Sequence, residues 1–592
     1  MGNEAIAYGA MSAGVSVVCG YPGTPSSEVL ETVAKRNDGS IYVEWSVNEK
    51  AAMEIAAGAS YCGARVMVTM KQVGLNVATD PLMSLSYIGV KGGLVVLAAD
   101  DPGPNSSQTE QDTRHFAEFA NLPVLDPATP EEACAMARAA FELSEAIGLP
   151  VILRPTTRVC HACGTVELPE AMPKHEAEGF KRDSRWVIFP ALAYKRHLEL
   201  EEQQNKIAAL FEKSEFNSVS GGGSLGVAAS GVSCAYLADV IARHGLSLKI
   251  FRVGTPYPFP EGRAAEFLSG LDRVLVLEEL DPVVEVALTA AAAKNGLKVE
   301  ILGKTSGHTP KCGEYSYEIV EDALLAFCGL TPMERPAPAV QELPIRTPVL
   351  CAGCPHRASF YAVKAAMKGQ KAVFTGDIGC YTLGNAKPLD MVDTCLCMGA
   401  SITIAQGIAR ADKNVKLFAF IGDSTFFHTG IPGVVNALYN GAELTIVVLD
   451  NSTTAMTGHQ PHPGIGRTMM GTVSQKIDIV KTLEGLGVPF VRRINPFDQR
   501  LAVETLREAS QRSGVSAIVF QAPCIALFHR PCVYEVDSAR CIACGKCMRE
   551  IGCPAMYIKE DRRAAIDGSL CYGCGLCAGL CSAGAIGKVE GQ

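Results

Sequence analysis

The sequence has no long basic run, and its net charge is -9 over 592 residues. A chain with that balance offers no electrostatic footprint for a phosphate backbone, so nucleic acid is not an expected partner. It also lacks any run of 18 or more apolar residues, the least that a membrane-crossing helix needs. The opening MGNEAIAYGAMSAG carries no basic segment ahead of its apolar residues, so neither a secretory leader nor a membrane is expected, and the cytoplasm is the expected compartment. With 48% hydrophobic and 19% charged residues, the composition is that of an ordinary globular protein. The length exceeds what one core can hold and predicts about three to five domains.

What the sequence does have is cysteine, 23 residues of it, which a reducing compartment keeps as thiols. Eight of them form a doubled pattern near the C-terminus. Cys541, Cys544 and Cys547 in CIACGKCMREIGCPA are followed by Cys553, then Cys571, Cys574 and Cys577 in CYGCGLCAGLCSA are followed by Cys581. A triplet at this spacing caps three irons of a cubane, and the fourth ligand comes from the other half. The expected [4Fe-4S] sets are therefore Cys541, Cys544, Cys547 with Cys581, and Cys571, Cys574, Cys577 with Cys553. Zinc sites or a disulfide mesh could use the same residues, but interleaved triplets suit tetrahedral zinc less well. Two departures, the longer gap from Cys547 to Cys553 and Ser582 where proline often follows the last ligand, should alter loops rather than ligands. A two-cluster module carries electrons, so the rest of the chain should contain their source.

Upstream, the chain reads as α/β and multidomain. Over residues 1–170, VSVVCGY, IYVEW, RVMVTM, GLVVLAAD and LPVILRP alternate with helical patterns such as NEKAAMEIAAGASYCG, which indicates a doubly wound parallel sheet. Ligands of such sheets sit off the carboxyl ends of the strands, where YPGTPSSE and Glu49 fall. By themselves these are a bent helix entry and an acidic first-turn residue. Residues 171–223 read as a polar helical connecting arm, with SVSGGGSLG as a flexible junction. A smaller alternating domain spans 224–332, in which His308, Cys234, Cys312 and Cys328 show no ligand spacing. A Pro-rich linker spans 333–345, followed by a domain at 346–530 and the cluster module at 531–592. No internal repeat appears beyond the two halves of that module.

In the 346–530 domain, NVKLFAFIGDSTFFHTG and LTIVVLDNSTTAMTGHQ put Gly422-Asp423 and Asn451 at the ends of two adjacent strands. An Asp carboxylate and an Asn carbonyl there can share one hard cation, with a diphosphate supplying its remaining ligands. The spacing resembles the thiamine diphosphate motif, although Ser424 stands where glycine is usual and Thr453 lies beyond a single Asn.

Taken with YPGTPSSE, NEKAA, CAGCPHR and GDIGCYTLG, these motifs run in order along the whole chain. They resemble the 2-oxoacid:ferredoxin oxidoreductase superfamily, and within it the alpha subunits of the indolepyruvate:ferredoxin type. The resemblance implies magnesium on Asp423, Asn451 and the Thr453 carbonyl, the diphosphate against Gly422, and Glu49 hydrogen-bonded to the aminopyrimidine ring. Residues 1–170 would then bind the pyrimidine, 224–332 would be transketolase C-terminal-like, and 346–530 would bind the diphosphate. The resemblance also implies a third cluster on Cys351, Cys354, Cys380 and Cys524, with Cys395 and Cys397 as competing thiols; Cys160 and Cys163 have no evident partners. Thr24, and Arg114 in QDTRHF, are the candidates for the substrate carboxylate, Arg114 being equally readable as a surface helix residue.

The implied reaction is oxidative decarboxylation of an arylpyruvate with coenzyme A, giving arylacetyl-CoA and reduced ferredoxin, by a heterotetramer with a smaller beta subunit. Alternatives are another 2-oxoacid, a non-redox thiamine decarboxylase, and an electron-transfer subunit whose α/β domains are scaffold.

Overall fold

A computed structural model of the protein describes residues 1–170, 175–332, 335, 347–529 and 532–589. The chain divides into two compact units, 1–339 and 340–592.

The first unit opens with six parallel strands: β1 (Val17–Gly20), β2 (Tyr42–Trp45), β3 (Val66–Lys71), β4 (Leu94–Ala99), β5 (Val124–Leu125) and β6 (Val151–Leu153), in the order β2-β1-β3-β4-β6-β5. Every residue of β4 is buried, as expected for a parallel strand covered by helices on both faces. The five apolar runs all become strands. β5 was not legible because two residues make no run. The pairing of Gly20 with Thr69 brings the ends of β1 and β3 out on the same edge.

A second sheet follows in the same unit: β7 (Asn217–Gly221), β8 (Leu225–Ser230), β9 (Lys249–Val253), β10 (Arg273–Leu277) and β11 (Glu300–Leu302), in the order β11-β10-β8-β9-β7. β7 corrects the expected boundary. It lies within the stretch read as arm and flexible junction, yet it pairs antiparallel with β9 and closes the sheet edge. The helix Pro190–Phe211 is the arm itself; it buries Leu200, Ile207 and Phe211 and lies against the helix Thr79–Ile88. Apart from Arg335, which pairs with Glu321 and Asp322, the Pro-rich linker falls almost wholly outside the described residues.

The second unit contains β12 (Ala372–Thr375), β13 (Lys416–Gly422), β14 (Leu444–Asp450), β15 (Phe490–Ile494) and β16 (Val515–Gln521), all parallel, in the order β12-β13-β14-β16-β15. Alternation along β13 serves two cores: Phe418 and Phe420 pack on one face, Leu417, Ala419 and Ile421 on the other. Gly422 pairs with Leu449, so Asp423 and Asn451 leave from adjacent strand ends.

The tail of this unit forms two antiparallel ribbons, β17 (Val533–Val536) with β20 (Ile586–Val589) and β18 (Met556–Ile558) with β19 (Ala564–Ile566). Its small core of Cys547, Ile551, Leu576, Cys577 and Leu580 includes Ala358 from the helix Pro355–Ala366, which docks the tail onto the parallel-sheet domain. Among the described residues, no helix is long and apolar enough to cross a membrane.

Candidate active site

In the second unit, Asp423 is buried at the end of β13 and draws the end of β14 toward it. Its Oδ2 accepts the backbone N–H groups of Asn451 (3.1 Å) and Ser452 (2.8 Å) and lies 3.1 Å from His462 Nε2, while Oδ1 accepts the Ser424 N–H at 2.8 Å. Burial pushes this carboxyl up, but His462 and the Ser424 N–H outweigh it and hold Asp423 below the usual carboxylate range. Asn451 Oδ1 accepts the Thr453 N–H at 3.2 Å, and its Nδ2 lies 3.3 Å from His356 Nε2. Burial pushes His356 down to about 4, so it stands neutral beside the amide. Asp423, Asn451 and Thr453 are all buried together, an oxygen-donor set that suits a magnesium ion carrying a diphosphate. A Cβ on Gly422 would meet the Tyr381 ring at 2.7 Å, which is why glycine stands there. The Ser424 hydroxyl, at the unusual motif position, accepts from Thr454 Oγ1 at 3.0 Å, so the substitution is absorbed by a local bond.

Several thiols lie near this site. Burial pushes Cys380 up to about 11, with Cys524, Cys351 and Asp423 as neighbouring negative groups. Cys354, pushed up to about 12, neighbours Cys351. Cys524 neighbours Cys351 and Asp423, and its N–H donates to the Asn451 carbonyl at 2.9 Å. In the tail, Cys577 neighbours Cys574, Cys553 and Cys571, whereas Cys547 neighbours Cys544 and Cys581. None of the 23 cysteines forms a disulfide. Among the described residues, no three His, Cys, Asp or Glu side chains converge on a single ion; a cubane instead takes each thiolate on a different iron.

In the first unit, Glu49 is buried in the first turn of the helix Glu49–Tyr61, capped by the Asn48 side chain. A Cβ on Gly74 would lie 2.5 Å from Glu49 Oε1, so that glycine leaves space for the carboxylate. The Thr24 carbonyl accepts Ser106 Oγ at 3.0 Å. Lys71, the last residue of β3, joins them: its Nζ donates to the Ser106 carbonyl (2.9 Å) and to Ser107 Oγ (3.3 Å), and its stem lies along Gly23. Burial pushes this ammonium down, opposed by the charges of Asp101 and Glu49.

Arg114 requires correction: it is not a surface helix residue but is buried among residues that follow strand ends. Only 1% exposed, it is saturated by Asp112 Oδ2 (2.6 Å), Glu278 Oε2 (2.7 Å) and the carbonyls of Glu279 (2.8 Å) and Asp281 (2.9 Å). With Arg154, which bonds Asp100 (2.7 Å) and Asp126 (3.2 Å), it forms an ion network joining the two sheets of this unit. A guanidinium whose donors are all committed to the protein has none left for a substrate.

Sequence reasoning gave no role to Lys71, His356, His462, Arg357 or Gly74. His356 and Arg357 lie inside a motif that was recognised as a string, His462 lies two residues beyond another, and the apolar run that marked β3 stops one residue short of Lys71.

Comparison with known proteins agrees with this geometry. The family described as "Thiamine pyrophosphate enzyme, C-terminal TPP binding domain" matches residues 377–520, and "Pyruvate flavodoxin/ferredoxin oxidoreductase, thiamine diP-bdg" matches residues 8–211. Fold and site thus define a thiamine-diphosphate-binding oxidoreductase of 2-oxoacids. The "Indolepyruvate oxidoreductase subunit IorA" of Methanothermobacter thermautotrophicus is 44% identical over 100% of this chain and 97% of its own length. Those of Archaeoglobus fulgidus (42%; 98% and 96%) and Pyrococcus horikoshii (41%; 100% and 97%) are similarly close. The chain belongs to the indolepyruvate oxidoreductase IorA family. Among solved structures, a 2-oxoglutarate:ferredoxin oxidoreductase from Magnetococcus marinus matches at TM-score 0.43 and 17% identity, covering 55% of this chain and 64% of its own, too distant to add to the argument.

Proposed function

We propose that the protein oxidises arylpyruvates such as indolepyruvate with coenzyme A to arylacetyl-CoA and carbon dioxide, passing the electrons through iron-sulfur clusters to ferredoxin. The reading rests above all on the Asp423–Asn451 pair at adjacent strand ends, with the thiol quartet of Cys351, Cys354, Cys380 and Cys524 beside it. Bound thiamine diphosphate would supply the carbon nucleophile and electron sink that decarboxylation of a 2-oxoacid needs. Asp423, Asn451 and the Thr453 carbonyl would hold its magnesium, Gly422 would let the diphosphate approach, and Glu49 would hold a proton on the aminopyrimidine. With Arg114 committed elsewhere, the Thr24 hydroxyl and the Lys71 ammonium would take the substrate carboxylate.

Electrons would leave through the quartet, then the Cys571, Cys574, Cys577 and Cys553 set, then the Cys541, Cys544, Cys547 and Cys581 set. The names of the relatives support a subunit role, so a smaller beta subunit would complete the enzyme as a heterotetramer, in the cytoplasm. Anaerobic assay of that complex with indolepyruvate, coenzyme A and a viologen dye tests the reading: dye reduction coupled to arylacetyl-CoA formation is expected. Aldehyde release without dye reduction would instead make it a non-redox decarboxylase.

A further inference from the structure

Arg357 follows the Cys351 and Cys354 pair in CAGCPHR and is 4% exposed, in the helix Pro355–Ala366. Its Nη1 donates to the carbonyls of Ile551 (2.6 Å) and Gly552 (2.8 Å), and its Nη2 to the carbonyl of Leu350. One guanidinium therefore ties the residue before Cys351 to the two residues before Cys553. The thiols in electrostatic reach of it are those of Cys553, Cys354, Cys574 and Cys351, two from each of two adjoining sets. The two loops also meet directly, since a Cβ on Gly353 would lie 2.5 Å from Tyr572 Cβ. The surroundings are carbonyls and sulfurs, acceptors without a competing anion partner, and arginine is the cation that stays charged when so buried. Its Nε–H has no hydrogen-bond partner among the described residues. A buried donor of this kind calls for an acceptor, and the sulfur of a cluster held by those thiols is one.

We propose that Arg357 is a positioning residue shared by two cluster sites, that of Cys351, Cys354, Cys380 and Cys524 and that of Cys553, Cys571, Cys574 and Cys577. Its charge raises the reduction potentials of both and couples their loops. The inference rests on the proposal above that both sets hold iron-sulfur clusters. Each transfer between them moves one electron, oxidising one cluster as it reduces the other, with no proton required. A cluster gains negative charge on reduction, and a fixed cation in a buried site favours that form with little screening by salt. The outer set of Cys541, Cys544, Cys547 and Cys581 supplies none of the four thiols that interact most strongly with Arg357, so its potential should respond less to this residue.

The test is an EPR-monitored redox titration of the full complex bearing Arg357→Gln or Arg357→Lys, with iron content measured in each. Arg357→Gln is expected to weaken reduction of the two adjoining clusters by about tenfold or more, about 59 mV for a one-electron couple. The outer cluster should move clearly less, and Arg357→Lys, which keeps the charge, should recover most of the shift. Iron-loaded Arg357→Gln protein with unchanged midpoints, or with all three clusters shifted alike, would overturn the proposal. So would a lysine variant shifted as far as the glutamine one. Should Arg357→Gln lose its iron, pulsed EPR on the reduced wild-type complex labelled with 15N-arginine decides: guanidinium nitrogen coupling supports the proposal and its absence overturns it. Wild-type protein without iron would overturn the functional reading and this inference together, whereas iron with unshifted midpoints overturns this inference alone.

Discussion

Glu49 shows how a single small neighbour can control a functional group. Gly74 sits in a helix at ordinary dihedrals, where alanine would by itself be favoured by roughly 1 kcal/mol. A methyl there meets not only Glu49 Oε1 but also its Cγ at 2.9 Å, so the carboxylate must turn away. Gly74→Ala is therefore expected to melt no lower than wild type while kcat falls about a hundredfold or more, the scale of a lost acid-base group. Melting temperature and steady-state kinetics together check this. Lys71 makes a different prediction. If it binds the substrate carboxylate, Lys71→Met raises the KM for the 2-oxoacid about ten- to hundredfold, the worth of a hydrogen bond to a charged group, with thiamine affinity unchanged. Isothermal titration with thiamine diphosphate separates the two effects. The strand signal that located β3 came from apolar residues, so it could not register a lysine whose stem is covered by Gly23 and whose head reaches Ser106.

Among the elements, the sheets were legible wherever parallel strands write continuous apolar runs, as in LVVLAA. They were not legible where pairing is decided by tertiary partners: β5 is too short to show a pattern, and the Ser- and Gly-rich β7 is a strand only because β9 offers an antiparallel edge. The ion network between the sheets of the first unit was equally hidden, because Arg114, Asp112 and Glu278 are brought together only by folding. Arg114→Met leaves Glu278 buried without its cation and Asp112 with only Arg154, at 3.9 Å, and is expected to lower stability by about 3–5 kcal/mol, measurable by denaturant unfolding, with no selective change in substrate KM. Glu279 in the same network accepts the Tyr315 N–H at 2.9 Å with Oε1, while Oε2 has no partner among the described residues. Burial pushes its carboxyl up to about 7. The folded protein thus holds a proton that the unfolded chain releases, and stability falls as pH rises from about 4.5 to 7. Glu279→Gln removes that slope and gains up to about 3 kcal/mol over wild type at pH 8. The gain should vanish below pH 4 in paired melts across pH.

For the molecule as a whole, the eight tail cysteines could be proposed as ligands from the sequence because ligand spacing in one loop is a local property of the chain. The quartet was not, because Cys351 and Cys354 stand at the start of the helix Pro355–Ala366 while Cys380 and Cys524 lie in the loops after β12 and β16, and only the resemblance suggested them. In the proposed function, their place between Asp423 and the Cys553 loop would join the chemistry of the parallel-sheet domain to the tail. The central claim is that one chain carries both a thiamine site and a continuous set of clusters. Its most direct test is the iron, sulfide, magnesium and thiamine content of the anaerobically purified complex. The account predicts about twelve irons per copy of this chain, four for each cubane, together with one thiamine diphosphate and one magnesium. Iron without thiamine would contradict it by leaving only an electron carrier, and about eight irons would leave the quartet empty and break the path.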